Sequence, residues 1–154
     1  MKKSMKISLL IASVLLFMAS PIYAGSFGSP VSSVISMHIA GSLTINGNAA
    51  AFGDEVAILD NSGKVLGLFV VDDEGAYGDM NISGDYSASS DDEGAQEGEI
   101  LYISVWQAST DTLYSGSGVS ITAPSVGDTI YAPYSESVLH FEGGSFNLLN
   151  IQAR

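Results

Sequence analysis

The chain has 154 residues, with 17 acidic and 5 basic side chains, a formal net charge of −12 and no cysteine. This acidity excludes binding to nucleic acid or anionic lipid through overall charge, and the lack of cysteine excludes disulfides and a cysteine nucleophile. The hydrophobic fraction of 46% is high enough for the chain to fold around a core rather than remain disordered.

Residues 1–24 have the features of a secretory signal peptide. Three lysines among the first six residues give a positive start, and residues 7–18 form an apolar run too short to span a bilayer. The small residue Ala24 ends the segment and predicts cleavage after it, with an uncleaved anchor as the alternative. Cleavage removes three lysines and leaves a mature chain with a net charge of −15, secreted to the extracellular space or the periplasm.

The predicted strands begin after a lead-in of residues 25–34, which is rich in Gly, Ser and Pro and is expected to be flexible. From Ile35 onward, apolar and polar residues alternate, which predicts a β-strand with a bulge or bend at Gly41. Two apolar segments, residues 55–59 and 64–71, are separated by an Asp-Asn-Ser-Gly turn and predict a β-hairpin.

Residues 100–107 are apolar on both faces, which is typical of a central strand, and Trp106 within them is expected in the core. Further short strands are predicted at residues 112–114, 119–122, 129–132, 138–141 and 146–151. No segment of useful length has the apolar spacing of a helix. The sequence therefore predicts one all-β domain over residues 35–154, an antiparallel β-sandwich (Ig-like or jelly-roll-like) of roughly eight to ten strands.

A series of short motifs in the middle of the chain resembles a known module. The motifs are G-D-x-V-A at residues 53–57, D-x-x-G-x-x-x-G-x-F-x-V at 60–71, a Gly-Tyr-Gly-like step at 76–78, G-D at 84–85 and D-E-G-A-x-x-G-[DE] at 92–99. In this order they resemble a β-sandwich module of secreted, often multidomain bacterial proteins. The resemblance implies an extracellular β-sandwich, and it provides no known catalytic activity to carry over to this chain. The chain departs from the module at Ala76, which replaces a glycine, and at Tyr86, which replaces a second aspartate.

The region from residue 72 to residue 99 contains ten of the seventeen acidic residues and no Lys or Arg. Calcium binds six to eight oxygens on flexible loops, so this composition favours calcium as a cofactor. The candidate ligands are Asp72, Asp73, Asp79, Asp85, Asp91, Asp92 and Glu93. The alternative is that these carboxylates only solvate long loops. Asp-Asp-Glu-Gly-Ala occurs twice, at residues 72–76 and 91–95, either by coincidence or because two similar turns lie at one end of the sandwich.

Patterns typical of catalysis are not found in the sequence. His38 and His140 are the only histidines, and no G-x-S-x-G motif singles out a nucleophilic serine. We therefore expect a non-enzymatic binding or structural module, such as an adhesion, matrix or cell-surface accessory protein, without membrane insertion after cleavage. Its partner would be an extracellular protein, a glycan or a second copy of the chain. One alternative is a small secreted hydrolase; another is a carbohydrate-binding module with a platform of Tyr102, Tyr114, Tyr131, Tyr134 and Trp106.

Overall fold

The computed structural model describes residues 25–88, 90–122, 134–135 and 138–154. These residues form two six-stranded sheets that enclose a common core, and the helical part among them is a single 3₁₀ turn at Gly116–Gly118. The predicted all-β sandwich is therefore confirmed. The predicted signal segment and the predicted strand at residues 129–132 lie outside the described residues.

The strands of the described residues are more numerous than the sequence predicts, because two contain only two residues and the last predicted strand is divided at Leu149. In chain order they are β1 (Ser36–Ile45), β2 (Asn48–Ala49), β3 (Glu55–Leu59), β4 (Val65–Val70), β5 (Ala76–Ser83), β6 (Ile100–Gln107), β7 (Thr112–Ser115), β8 (Val119–Thr122), β9 (Tyr134–Ser135), β10 (Val138–His140), β11 (Phe146–Leu148) and β12 (Asn150–Ala153).

β1 is the centre of the first sheet, which also contains β2, β5, β8, β11 and β12. It pairs with β2 and β5 in antiparallel register and with β11 and β12 in parallel register. The register with β5 shifts between Ile39 and Gly41, which confirms the predicted bulge. A β-carbon at Gly41 would lie 1.8 Å from the carbonyl oxygen of Leu149, so only glycine lets β1 pass this backbone.

The second sheet includes the predicted hairpin, which is formed by β3 and β4. In this sheet β6 pairs with β3, β7 and β10. The short strand β9 pairs with the other edge of β10. The hairpin turn is closed by Asp60, whose Oδ1 accepts the amides of Ser62 and Lys64, each at 2.8 Å. Burial raises the pKa of Asp60, but hydrogen bonds from Ser62 and Lys64 lower it by more, so the pKa falls below the ordinary value of 3.8.

The core contains one face of β6, and Trp106 lies on the other face. Leu101, Ile103 and Val105 belong to the core cluster. Trp106 is only 6% exposed but lies outside this cluster, and its indole N–H donates to Asp111 Oδ1 at 3.0 Å. The prediction that Trp106 is a buried core residue is confirmed, although its side chain lies outside the largest core cluster. The strand is apolar on both faces, so alternation alone does not show which face points inward.

The lead-in before β1 is hydrogen-bonded to the sandwich along its length. The Val31 amide donates to the Val65 carbonyl at 3.0 Å, and the Val31 carbonyl accepts the Ser83 hydroxyl at 2.8 Å. Farther back, the Ser26 amide donates to the Glu55 carboxylate at 3.0 Å. The composition of residues 25–34 predicts a flexible segment, whereas the structure attaches it to β3, β4 and β5.

Candidate functional site

The seven predicted calcium ligands are divided among three places in the fold. Asp72 and Asp73 lie in the β4–β5 turn, and Asp79 lies on β5. The β5–β6 connection contains the other four, Asp85, Asp91, Asp92 and Glu93. Because β5 has 8 residues and each adds about 3.4 Å, the turn and the connection are roughly 25 Å apart, at opposite ends of the sandwich. The seven carboxylates therefore do not surround one ion.

Carboxylates of the β5–β6 connection are bound by other groups of the chain. Lys64 Nζ lies 2.5 Å from Asp92 Oδ2, and this hydrogen bond raises the pKa of Lys64. Asp85 Oδ1 accepts the Glu93 amide at 3.3 Å. Across the described ranges, no group of three or more His, Asp or Glu side chains is arranged to hold a metal ion. A calcium ion that used Asp92 would compete with Lys64, and calcium binding stays a prediction.

The two Asp-Asp-Glu-Gly-Ala segments are not a repeated structural unit. In residues 72–76, Gly75 has a φ of 74°, which is the left-handed conformation that glycine adopts readily. In residues 91–95, Gly94 lies so close to β5 that a β-carbon would be 2.3 Å from the Ser83 carbonyl oxygen. The second glycine thus serves close packing rather than a turn. The two copies also lie at opposite ends of the sandwich, not at the same end.

Asp79 belongs to a polar cluster on the outer face of the first sheet. Ser36 Oγ lies 3.2 Å from His38 Nε2, and Asp79 Oδ1 lies 2.7 Å from His38 Nδ1. This is the order of contacts that activates the serine of a Ser-His-Asp triad. Sequence reasoning missed the cluster because Asp79 comes from β5, and nothing in the sequence pairs β5 with β1. Alternation did place Ser36 and His38 on one face of the same strand.

The surroundings of this cluster differ from those of a serine hydrolase site. His38 and Asp79 side chains are 34% and 64% exposed on an open sheet face. The His38 amide donates to the Ser145 carbonyl at 2.9 Å, so it is occupied and cannot stabilise an oxyanion. The neighbouring Phe146 and Leu148 are 59% and 54% exposed. The arrangement can orient an imidazole and bind a polar ligand, whereas acyl transfer would require oxyanion donors in addition.

Large apolar side chains line the outer face of the second sheet. Strand pairing places Leu59 opposite Tyr102 and Leu113 opposite Trp106. Ile100, Tyr102 and Leu113 are 45%, 51% and 56% exposed. We call this surface the apolar face and define it by Leu59, Leu68, Val70, Ile100, Tyr102 and Leu113. The signal for it was present in the sequence, because β6 is apolar on both faces, but that pattern is typical of a central strand covered on both sides.

The aromatic residues of the predicted sugar platform are not gathered on one surface. Tyr102 belongs to the apolar face, whereas Tyr114 packs against the core and its hydroxyl accepts a hydrogen bond from Asn46 at 2.8 Å. The side chains of Tyr131 and Tyr134 lie outside the described residues. The apolar face therefore has one exposed aromatic ring from that predicted set.

Two carboxylates that the sequence analysis did not single out are buried at the start of β3. Asp54 and Glu55 are only 3% and 4% exposed. Asp54 accepts the amides of Ala51 and Ala108 at 2.8 and 2.9 Å, which joins the loop before β3 to the turn after β6. The available signal was the pair of acids directly before an apolar strand, since acids that enter a core are almost always hydrogen-bonded.

Comparison with known proteins gives no relative. No family model matches the chain, and neither a curated protein nor a solved structure matches it. Within the part of the chain that the structure describes, no helix has the length and apolarity needed to cross a membrane.

Proposed function

We propose that the chain is a secreted, non-enzymatic binding module that uses the apolar face to bind an extracellular protein. The observation that supports this proposal is the exposure of Ile100, Tyr102 and Leu113, each about half accessible on one sheet face. Exposed apolar side chains grouped on one face of a soluble domain are typical of interaction surfaces. Because each side chain is about half exposed, a partner that covered it completely would gain about half of the 1.5–3 kcal/mol for full burial, or about 0.8–1.5 kcal/mol. A role in adhesion, in a matrix or at the cell surface is consistent with such binding.

The charge of the chain favours a different protein as the partner over a second copy. After removal of the signal segment the net charge is −15, so two copies repel each other. A partner with basic residues around an apolar centre would be attracted by the same charge. A glycan fits this face less well, because most of its side chains are aliphatic and stacking against a sugar needs aromatic rings.

Secretion is tested separately, by intact-mass measurement of the protein recovered from the extracytoplasmic fraction. The positive start, the apolar run and Ala24 support cleavage before Gly25. The expected mass is that of residues 25–154. Recovery of a chain that retains residues 1–24 would contradict secretion by cleavage.

The binding proposal is tested with two matched pairs of substitutions. Tyr102→Ser with Leu113→Ser changes the apolar face, and Phe146→Ser with Leu148→Ser changes a similar amount of exposed apolar surface on the other sheet. Labelled mature protein is added to the surface fraction of the producing cells, with and without protease or periodate treatment. The first pair should abolish binding and the second should leave it unchanged, and protease but not periodate should remove the binding sites.

Other outcomes of the same experiment identify other occupants. If periodate removes the binding sites, the carbohydrate-binding alternative replaces the protein partner. If analytical ultracentrifugation shows a dimer that the Tyr102→Ser, Leu113→Ser variant dissociates, the face binds a second copy. If both pairs of substitutions leave all binding unchanged, the apolar face is not the binding surface and the proposal fails.

A small secreted hydrolase is the second candidate, and the Ser36–His38–Asp79 cluster favours it. The test is labelling of the mature protein with a fluorophosphonate, which reacts with activated serines. Under the binding proposal no labelling is expected. Labelling that disappears in Ser36→Ala and weakens in Asp79→Asn would instead establish a nucleophilic serine at this cluster.

Calcium remains a proposed stabiliser of the β5–β6 connection alone. Four carboxylates, those of Asp85, Asp91, Asp92 and Glu93, lie within this one connection, which supports the proposal. Calcium at this position would stabilise the loop and would take no part in binding at the apolar face.

A further inference from the structure

The carboxylate of Glu55 is buried against the first residues after the predicted cleavage point. Glu55 is only 4% exposed, and its Oε2 accepts hydrogen bonds from the amides of Ser26 and Phe27 at 3.0 and 3.4 Å. The two ion pairs formed between described residues are His38–Asp79 and Lys64–Asp92, and neither involves Glu55. A buried carboxylate with two amide donors and no cation is costly, because each lost hydration contact must be replaced.

The other oxygen of this carboxylate faces Gly25. A β-carbon built on Gly25 would lie 2.3 Å from Glu55 Oε1, so another residue at this position would require the carboxylate to move. With a Cα–Cβ bond of about 1.5 Å, the Gly25 α-carbon lies within about 3.8 Å of that oxygen. The nitrogen of residue 25 is one bond farther along the chain. An ammonium group at this nitrogen would therefore lie within the distance at which opposite charges stabilise each other.

We propose that cleavage after Ala24 creates the cation that Glu55 lacks, and that the new α-ammonium of Gly25 binds Glu55 Oε1. The inference rests on the signal cleavage in the proposed function. Before cleavage, the nitrogen of Gly25 is an uncharged amide. After cleavage it carries a charge and three hydrogen-bond donors. Removal of the signal segment thus completes a buried ion pair, fastens the lead-in to β3, and makes the mature form more stable than a chain with a different start.

The charges around Glu55 also favour a cation at the nitrogen of Gly25. At the end of the sheet that contains Glu55, the neighbouring charged groups are carboxylates, among them Asp54 before β3, Asp72 after β4 and Asp111 after β6. The cation Lys64 lies before the opposite end of β4 and is paired with Asp92. Residues 25–34 contain no charged side chain. An ammonium group placed among carboxylates holds its proton more tightly, so the pKa of the Gly25 α-amine should be raised above its usual range.

The first test is a pH titration of the α-amine of the mature chain. The titration is monitored by NMR through the chemical shifts of the Gly25 α-hydrogens. An exposed α-amine titrates at about 7.7–8.0, and the paired amine is expected at least half a pH unit higher. The comparison chain retains Ala24 as its first residue, which keeps the charge but moves it one residue away, and its amine should titrate in the usual range. Equal titration of the two amines would overturn the proposal without any variant of Glu55.

The second test is a double-mutant cycle on thermal stability. Retention of Ala24 should lower the melting temperature by about 3–6 °C in the parent and by much less in Glu55→Gln. Glu74→Gln, which removes the charge of an exposed carboxylate in the β4–β5 turn, is the matched control and should leave the effect of Ala24 intact. If Ala24 has the same effect with and without Glu55, the pair does not form.

Failure of secretion is distinguishable from failure of the pair. Every strand among the described residues lies after Gly25, so a chain that begins there contains the whole described fold. If intact mass shows that cells cleave at another residue, the proposed link to maturation is refuted, whereas a chain prepared to begin at Gly25 still shows whether its ammonium binds Glu55.

Discussion

Replacement of Asp54 tests whether the Gly-Asp motif before β3 is structural. Asp54 is 3% exposed and accepts two amides, that of Ala108 in a buried position and that of Ala51 next to solvent. In Asp54→Ala, water can satisfy the Ala51 amide, but the Ala108 amide loses a bond to a charged acceptor, worth about 1.5–3 kcal/mol. With a smaller contribution from Ala51, we expect a loss of about 2–4 kcal/mol in the free energy of unfolding. Asp54→Asn, which keeps one acceptor oxygen, should lose about half as much.

The free energy of unfolding is measured by urea denaturation, with tryptophan fluorescence as the signal. The hydrogen-exchange rate of the Ala108 amide is measured in addition. Asp72→Ala removes the same charge from an exposed turn and should change the free energy by no more than about 0.5 kcal/mol. This control is needed because loss of any negative charge relieves repulsion in so acidic a chain. If Asp54→Ala is as stable as Asp72→Ala, or if the Ala108 amide exchanges no faster, the reasoning about this carboxylate is refuted.

Three further predictions concern the hydrophobic, electrostatic and ionic contributions to stability. Trp106→Ala should cost about 3–5 kcal/mol, and the parent should show blue-shifted tryptophan emission; an emission maximum typical of water would contradict the burial. Asp60→Asn should be less stable than the parent at neutral pH. Because the pKa of Asp60 is lowered on folding, this difference should persist above the ordinary value of 3.8 and shrink as the pH falls through the folded pKa. Calcium at ~1 mM, with a Kd of ~0.1 mM, should add about 1.4 kcal/mol, and magnesium at equal ionic strength less. An equal effect of both ions that persists in Asp91→Asn with Asp92→Asn would mean that no specific site exists.

The parts of the fold that local sequence determines could be predicted. The β3–β4 hairpin follows from the turn chemistry of Asp60 and Gly63, and the bulge of β1 from Gly41. The parallel pairing of β1 with β12 could not be predicted, because it joins residues more than 100 positions apart and depends on the whole topology. The face of β6 that points inward was also undetermined, since both faces carry apolar residues.

The candidate sites depend on contacts between distant segments, so local sequence did not predict them. Proximity in sequence suggested one acidic site, but β5 separates its two ends because a strand extends its residues rather than gathering them. The contacts of His38 with Asp79 and of Glu55 with Ser26 join distant segments, and no local pattern announces them. The exposure of the apolar face could be recognised only after the strand pairing was known, since exposure depends on what covers each sheet.

The parallel pairing of β1 and β12 determines how the domain would respond to tension. Force applied at Gly25, the proposed start of the mature chain, would first peel the lead-in from Glu55 and Val65, contact by contact. Force that then reached β1, opposed by force after β12, would pull the two strands past each other along their length. The hydrogen bonds between residues 43–45 and 151–153 would be loaded together, in shear, instead of opening one at a time. A module of this kind would yield slightly at low force and then resist strongly, which is what the proposed role in adhesion would require.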